Sequence, residues 1–396
     1  MFNSDELMWG AAQAPVNSQG ASRRSDWFRW ETTRNIEPSG AGNNFESLYS
    51  EDSLLFAEHG LTHLRFTLDW ARVEPFPGRL DHETLEKVHL QLQAARDAGL
   101  FIWLGLHDDN LPGWFSEDTA GFRTTEGPSI HWSRHVDRMA ELFDEYATGW
   151  IPVIDPVGWA IKSHLLGQRP PGQRSLTGAQ DAIEGIVDAT FDAHRLLSSG
   201  SKQVVGHFAV PTLHPIDPAA NAATKMWEQT IVQSWTRAIR DGVLEWPWKA
   251  AIERSDMADA FAAIALGIES PIAVDPDGML GAWPVHADRR DAGGWTPTSD
   301  SLFDVLHKVS ELLPGKDLLV TGLGLDDEDD SWRSALFEGW LDAILGARGE
   351  GVPIRGVFVE PAIDGYSQGA GAFVDSGVFS RDREPKPSLR WIQAQQ

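Results

Sequence analysis

The chain contains no cysteine. That excludes a disulfide framework, a thiolate metal site and a cysteine nucleophile, and it fits a cytoplasmic protein. No apolar run approaches the roughly 18 residues of a membrane span. The opening residues Met1-Phe2-Asn3-Ser4-Asp5-Glu6 lack a basic flank and an apolar segment, so no signal peptide is predicted. Basic residues are scarce: 33 Lys and Arg stand against 58 Asp and Glu, a formal charge of -25. Such a surface repels nucleic acid and anionic membrane, and neither is expected as a partner. There is no low-complexity tract, no Gly-rich phosphate loop and no His-x-x-x-His zinc signature, so no cofactor and no metal is expected. The acidic run Asp326-Asp327-Glu328-Asp329-Asp330 lacks the glycine and ligand spacing of a calcium loop, and it reads as a solvated loop or a helix start.

What is present is a rhythm. The 42% hydrophobic content suits a large core. Short apolar runs recur about every 40–60 residues with amphipathic helical patterns between them. The runs are Leu7–Ala12, His63–Thr67, Phe101–Leu106, Trp150–Ile154, Gln203–Phe208, Ala260–Ala265, Asp317–Thr321 and Gly356–Glu360. Helical patterns cover Leu54–His59, His82–Ala98 and Val136–Tyr146. Eight alternations of strand and helix predict α/β architecture, a single (β/α)8 TIM barrel over residues 1–396. Such barrels build their sites at the C-terminal ends of the strands, where this chain clusters polar residues.

Those strand ends carry a resemblance. Leu7-Met8-Trp9-Gly10-Ala11-Ala12 is similar to the first strand of glycoside hydrolase family 1, the β-glucosidase and β-galactosidase family. Leu64-Arg65-Phe66-Thr67-Leu68-Asp69-Trp70-Ala71-Arg72-Val73 resembles its second-strand motif, Tyr-Arg-Phe-Ser-Ile-Ser-Trp-Pro-Arg-Ile. Leu106-His107 with Leu111-Pro112-Gly113-Trp114 resembles the third-strand motif. Leu165-Leu166-Gly167 with Pro170-Pro171-Gly172 resembles the stretch after strand four. Phe358-Val359 to Asp364, Gly377-Val378-Phe379 and Lys386-Pro387-Ser388 resemble the family's end. The resemblance implies the family 1 barrel and a small-molecule glycoside or other carbohydrate as ligand, to which the acidic surface is indifferent. It leaves a homo-oligomer open.

The family's working residues carry over unevenly. Arg65 is kept, and in the family this arginine orients the nucleophile. His107 is kept, where the family binds a sugar hydroxyl. The fourth-strand Asn-Glu-Pro, whose Glu is acid and base, reads Ile154-Asp155-Pro156. Asp155 keeps the carboxylate on a shorter arm, and the Asn that holds the 2-hydroxyl is gone. The first-strand Gln that grips the sugar aligns with Asn17. The sixth-strand Asn and Tyr positions are Ala265 and Leu266. The later Glu-Trp pair falls at Ser367 and Gln368. At strand seven, Val320-Thr321-Gly322-Leu323-Gly324 stands where the family has Thr-Glu-Asn-Gly, so Gly322 takes the nucleophile's place. A platform Trp on strand eight becomes Glu360, followed by Pro361. The family's peptide there is cis without proline. X-Pro bonds adopt cis far more cheaply, so Glu360-Pro361 is predicted cis, with the carboxylate aimed into the barrel mouth.

Gly322 has no side chain and cannot form a glycosyl intermediate. A retaining glycosidase needs two carboxyl groups about 5 Å apart, and an inverting one needs an acid and a base about 6.5–9.5 Å apart. Asp155 and Glu360, on strands four and eight, are the candidate catalytic pair for the second arrangement. Glu360 can equally be an ion-pair partner for Arg65. Asp155 can equally cap a turn or helix, and His107 can be a satisfied core histidine. Of the 18 tryptophans, Trp114, Trp159 and Trp295 are the candidate pocket wall, while Trp27 and Trp30 are assigned to an outer loop. Glu328 is the remote candidate for a replacement nucleophile. Three functions stay open: a divergent glycosidase that has lost the standard retaining mechanism; a non-catalytic sugar or small-molecule binder; and a barrel turned to lyase or isomerase chemistry with Glu360, His107, Asp155 and Arg65.

Overall fold

The computed structural model describes residues 6–124 and 127–394. The first five residues of the acidic opening lie outside it. Eight parallel strands close into a barrel. They are β1 (Met8–Gln13), β2 (His63–Thr67), β3 (Phe101–His107), β4 (Ala147–Val153), β5 (Gln203–Ala209), β6 (Ala263–Gly267), β7 (Asp317–Leu323) and β8 (Ile354–Val359). The ring shuts where β1 pairs with β8, Met8 beside Gly356 and Ala11 beside Val359. Outside it run the helices α1 (Phe45–Glu58), α2 (His82–Asp97), α3 (Ser133–Phe143), α4 (Leu176–Leu197), α5 (Ser234–Asp241), α6 (Leu302–Leu312) and α7 (Asp330–Gly349). The expected TIM barrel is therefore present, with strand bounds close to those expected. The largest shifts at a strand start are three residues: β4 starts early, at Ala147, and β6 starts late, at Ala263. Asp259 and Phe261 have φ of +56° and +63°, a left-handed backbone that cannot extend into a strand.

Strand alternation sorts the side chains. Leu64 and Phe66 on β2, Ile102 and Leu104 on β3, Ile264 and Leu266 on β6, and Val357 and Val359 on β8 face the helices. Trp103, Ile151, Val205, Ala263, Ala265, Leu319 and Phe358 fill the barrel interior. The two large rings need space from their neighbours. A Cβ on Gly10 would lie 2.3 Å from Phe358, and one on Gly149 would lie 2.4 Å from Trp103. These glycines are packing partners, placed so that wide rings fit a narrow barrel.

The same alternation turns Arg65, His207 and Thr321 inward near the strand ends. His207 Nε2 and Thr321 Oγ1 lie 2.8 Å apart. Trp27, Trp70, Trp103, Trp132, Trp150, Trp227, Trp235 and Trp340 are fully buried, so much of the tryptophan content is core. Trp27 and Trp30 correct the outer-loop assignment. They sit on the helix Asp26–Arg34, whose Ser25 cap accepts from Phe28 N–H, and Trp27 packs on Tyr366. In the acidic run, Asp329 caps α7 by accepting from Ser331 and Trp332 N–H. Among the described residues, no helix is long and apolar enough to cross a membrane.

Candidate active site

The C-terminal ends of the strands open onto a polar cavity of about 350 Å³. An inner chamber of about 180 Å³ and a side chamber of about 170 Å³ share its walls. A narrow apolar pocket of about 40 Å³ adjoins them, with Ile161, Leu166, Ile231, Ile272 and Leu280 in its lining. Asp155, Gly322 and Glu360 all line the inner chamber.

Gly322 is the penultimate residue of β7, at a register shift and with φ of +85°. That backbone suits glycine and strains any L side chain. A Cβ there would sit 3.4 Å from the backbone N and O of Ile268, which is ordinary contact. A side chain at this position is thus opposed by conformation more than by lack of room.

Glu360 follows β8, and its peptide to Pro361 is cis, as expected. Arg65 Nη2 donates to Glu360 Oε1, and Asp108 Oδ2 lies 3.6 Å from the same nitrogen. Arg65 is wholly buried, while the Glu360 side chain is 24% exposed, toward the cavity. Both expectations for Glu360 therefore hold at once: it is the partner of Arg65 and it borders the mouth. Burial pushes the Asp108 carboxyl up to about 6, against the pull of Arg65 and with repulsion from Glu360.

Asp155 sits at φ +45° and caps the short helix Pro156–Ala160. Its Oδ1 accepts from Gly158 N–H and Ala209 N–H, both at 3.2 Å. Gly158 must be small, because a Cβ there would fall 1.8 Å from Asp155 Oδ2. Burial raises the Asp155 carboxyl above the ordinary aspartate range; Lys162 opposes this and Glu269 reinforces it. Lys162 Nζ donates to Glu269 Oε1 at 2.8 Å. Burial pulls the Lys162 ammonium down, but Glu269 and Asp155 outweigh it and hold it above the ordinary lysine value.

Several expected ligand-binding residues border the cavity and others do not. Asn17 and Gln368 line the main chamber, although Asn17 Nδ2 is already spent on Tyr366 O at 3.3 Å. Trp295 borders the main, side and apolar spaces, and Trp159 borders the inner one. His107 and Trp114 are corrections, because neither lies on these walls. His107 is covered by Phe122 and Trp159, with ring centroids at 5.6 and 5.4 Å. Burial drives its imidazole down to about 3, so it is a neutral core histidine. Trp114 donates its indole N–H to Glu74 O at 3.0 Å and packs edge-on to Trp70. Glu328 is exposed and off the walls.

Sequence reasoning missed Lys162, Arg169, Glu269, Asp291 and Asp326, which also line the main chamber. Glu269 borders all four spaces. Lys162 lies on the helical stretch after Asp155, and Glu269 lies just past β6. Nothing in either local pattern announces a meeting across 107 residues.

No protein-family model matches the chain. Beta-glucosidase A of Thermotoga maritima is 23% identical over 423 aligned positions, covering 95% of this chain and 92% of that protein. A 1,4-beta-D-glucan glucohydrolase of Thermotoga neapolitana is 20% identical over 95% of this chain and 97% of its own length. The chain is similar to β-glucosidases over nearly its whole length, at low identity. Its fold superposes on the family 1 β-glucosidase structure from T. maritima with a TM-score of 0.84 at 20% identity, covering 99% and 97% of the two chains. The β-glycosidase from Pyrococcus horikoshii gives the same TM-score at 20% identity, with 98% and 93% covered. The eight-stranded barrel is thus shared while four residues in five differ.

Proposed function

We propose that the protein acts on a glycoside in the barrel-mouth cavity without the strand-seven displacement, using Asp155 as acid and Glu360 as base. One observation carries the reading. The Glu360 carboxylate, supplied just past the end of β8, engages Arg65 and borders the inner chamber that Gly322 also lines. Asp155 borders that chamber from β4. Its raised carboxyl suits proton donation, and Glu360 is paired with the Arg65 guanidinium.

The chemistry is then an inverting hydrolysis. Asp155 gives its proton to the glycosidic oxygen as the bond from that oxygen to the anomeric carbon breaks. The bonding electrons leave with the oxygen. Glu360 takes a proton from water, whose oxygen bonds to the anomeric carbon. The products are a free sugar of inverted configuration and an alcohol, and solvent returns the proton from Glu360 to Asp155.

A panel of aryl glycosides, assayed with and without formate or azide, tests this. Wild-type turnover is expected on at least one substrate. Asp155→Asn and Glu360→Gln should each lower it by about 100-fold or more. The product anomer, followed by NMR, should be inverted. No turnover on any substrate, with or without the small anion, would remove hydrolysis. A second reading, a sugar binder without chemistry, draws on the two backbone N–H groups that already engage Asp155. Sugar-dependent tryptophan fluorescence without turnover would favour it.

A further inference from the structure

Five carboxylates line the main chamber, against the cations Lys162 and Arg169. Lys162 is matched by Glu269, Arg169 by Asp109, and Glu360 belongs to Arg65. Asp291 and Asp326 are left over, and both also border the side chamber beside Trp295. Among the described residues, their hydrogen-bond donors are neutral. Trp295 N–H reaches Asp291 Oδ1 at 2.8 Å, and the Ser367 hydroxyl donates to Asp326. Burial pushes both carboxyls up, Asp291 to about 6 with Asp326 adding repulsion, while Arg333 and Arg169 offset part of the rise at Asp326. A positive ligand would relieve that stress.

A second observation at the same wall points to a ligand. Ser376 lines the main chamber, is 1% exposed, and its hydroxyl has no hydrogen-bond partner among the described residues. Carboxylates without a matching cation, an unspent hydroxyl and an indole face together suit a protonated amine, which needs acceptors, opposite charge and a π surface. A bound metal ion is served less well. Among the described residues no three acidic or imidazole side chains are grouped to hold one.

We propose that the glycoside entering this cavity is an amino sugar, whose ammonium group lies between Asp291 and Asp326 and against Trp295. This rests on the glycoside reading above and adds the charge of the substrate. It places the cationic end of the sugar away from Asp155, which does not line the main chamber.

The test is a binding titration of the full chain by calorimetry. The ligands are methyl β-glucoside, its 3-, 4- and 6-amino-deoxy analogues, and the N-acetylated form of each analogue. One free amine should bind at least about tenfold more tightly than the parent, and its acetylated form should lose that gain. The preference should shrink as salt rises. Asp291→Asn alone should reduce the ratio of amine to parent affinity, and Asp291→Asn with Asp326→Asn should bring it near one. The single variant guards against misfolding of the double. Equal or tighter binding of the neutral parent would overturn the amino-sugar inference and leave the glycoside reading standing. So would a preference that survives both substitutions, or a calcium titration showing that a metal occupies the corner. Failure of every sugar to bind would overturn both.

Discussion

Arg65 on β2 holds the carboxylate of Glu360 at the end of β8, a contact between residues 295 positions apart. The arginine is buried and the carboxylate is partly open to the cavity. Asp108 competes for the same guanidinium from 3.6 Å. The mouth is therefore organised around one buried cation shared by two acids, and its balance makes several outcomes measurable.

Arg65→Met should be costly. It leaves Glu360 and Asp108 facing each other without the guanidinium they share, with only the weaker pull of Arg169 and Lys162 on Asp108. Removing one member of a buried ion pair costs about 3–5 kcal/mol, and the partial exposure of Glu360 places this case near the lower figure. Urea unfolding measures it. A loss under 1 kcal/mol would mean that water already screens the pair.

Gly322→Ala should destabilise the fold by about 1–2 kcal/mol, because φ of +85° penalises a Cβ even where there is room for it. Gly322→Glu should carry the same penalty and should not create retaining hydrolysis. Thermal melting and product-anomer analysis check the two statements separately.

Asp26 is a buried acid whose carboxyl is raised by burial from 3.8 to about 7. A raised acid binds its proton more tightly in the folded state, so wild-type stability should fall as pH climbs from 3.8 toward 7. Asp26→Asn keeps an acceptor for Leu111 N–H and does not titrate. Its stability relative to wild type should therefore improve across that window. A flat difference between pH 4 and pH 7 would contradict the shift.

The pH profile of turnover should report the surroundings of Asp155. As the acid it must be protonated, so activity should decline as pH rises through its raised value. Lys162→Met removes a charge that favours ionised Asp155 and should move this limb to higher pH. Glu269→Gln removes the opposing charge and should move it lower. Carbon NMR of the Asp155 carboxyl reads the same shifts without turnover.

Some of the site was legible in the chain and some was not. Asp155, Gly322 and Glu360 sit at strand ends, and strand periodicity places strand ends. His107 also ends a strand, yet Phe122 and Trp159, on short helical turns in the connections after β3 and β4, cover it. Trp114 looked like a stacking platform, but its indole N–H is spent on Glu74 O. In both cases the long connections after the strands decided, and their paths follow no period. Lys162, Glu269, Asp291 and Asp326 were missed for the same reason.

The sequence by itself determined the barrel, the absence of a side chain at Gly322 and the cis peptide at Pro361, because each follows from local pattern or from one residue's covalent nature. Only the tertiary structure decided which charges meet: Glu360 with Arg65, Glu269 with Lys162, and Asp291 and Asp326 in no salt bridge among the described residues. Electrostatic energy depends on distance through space and on burial, and loops bring together residues whose separation along the chain says nothing about either.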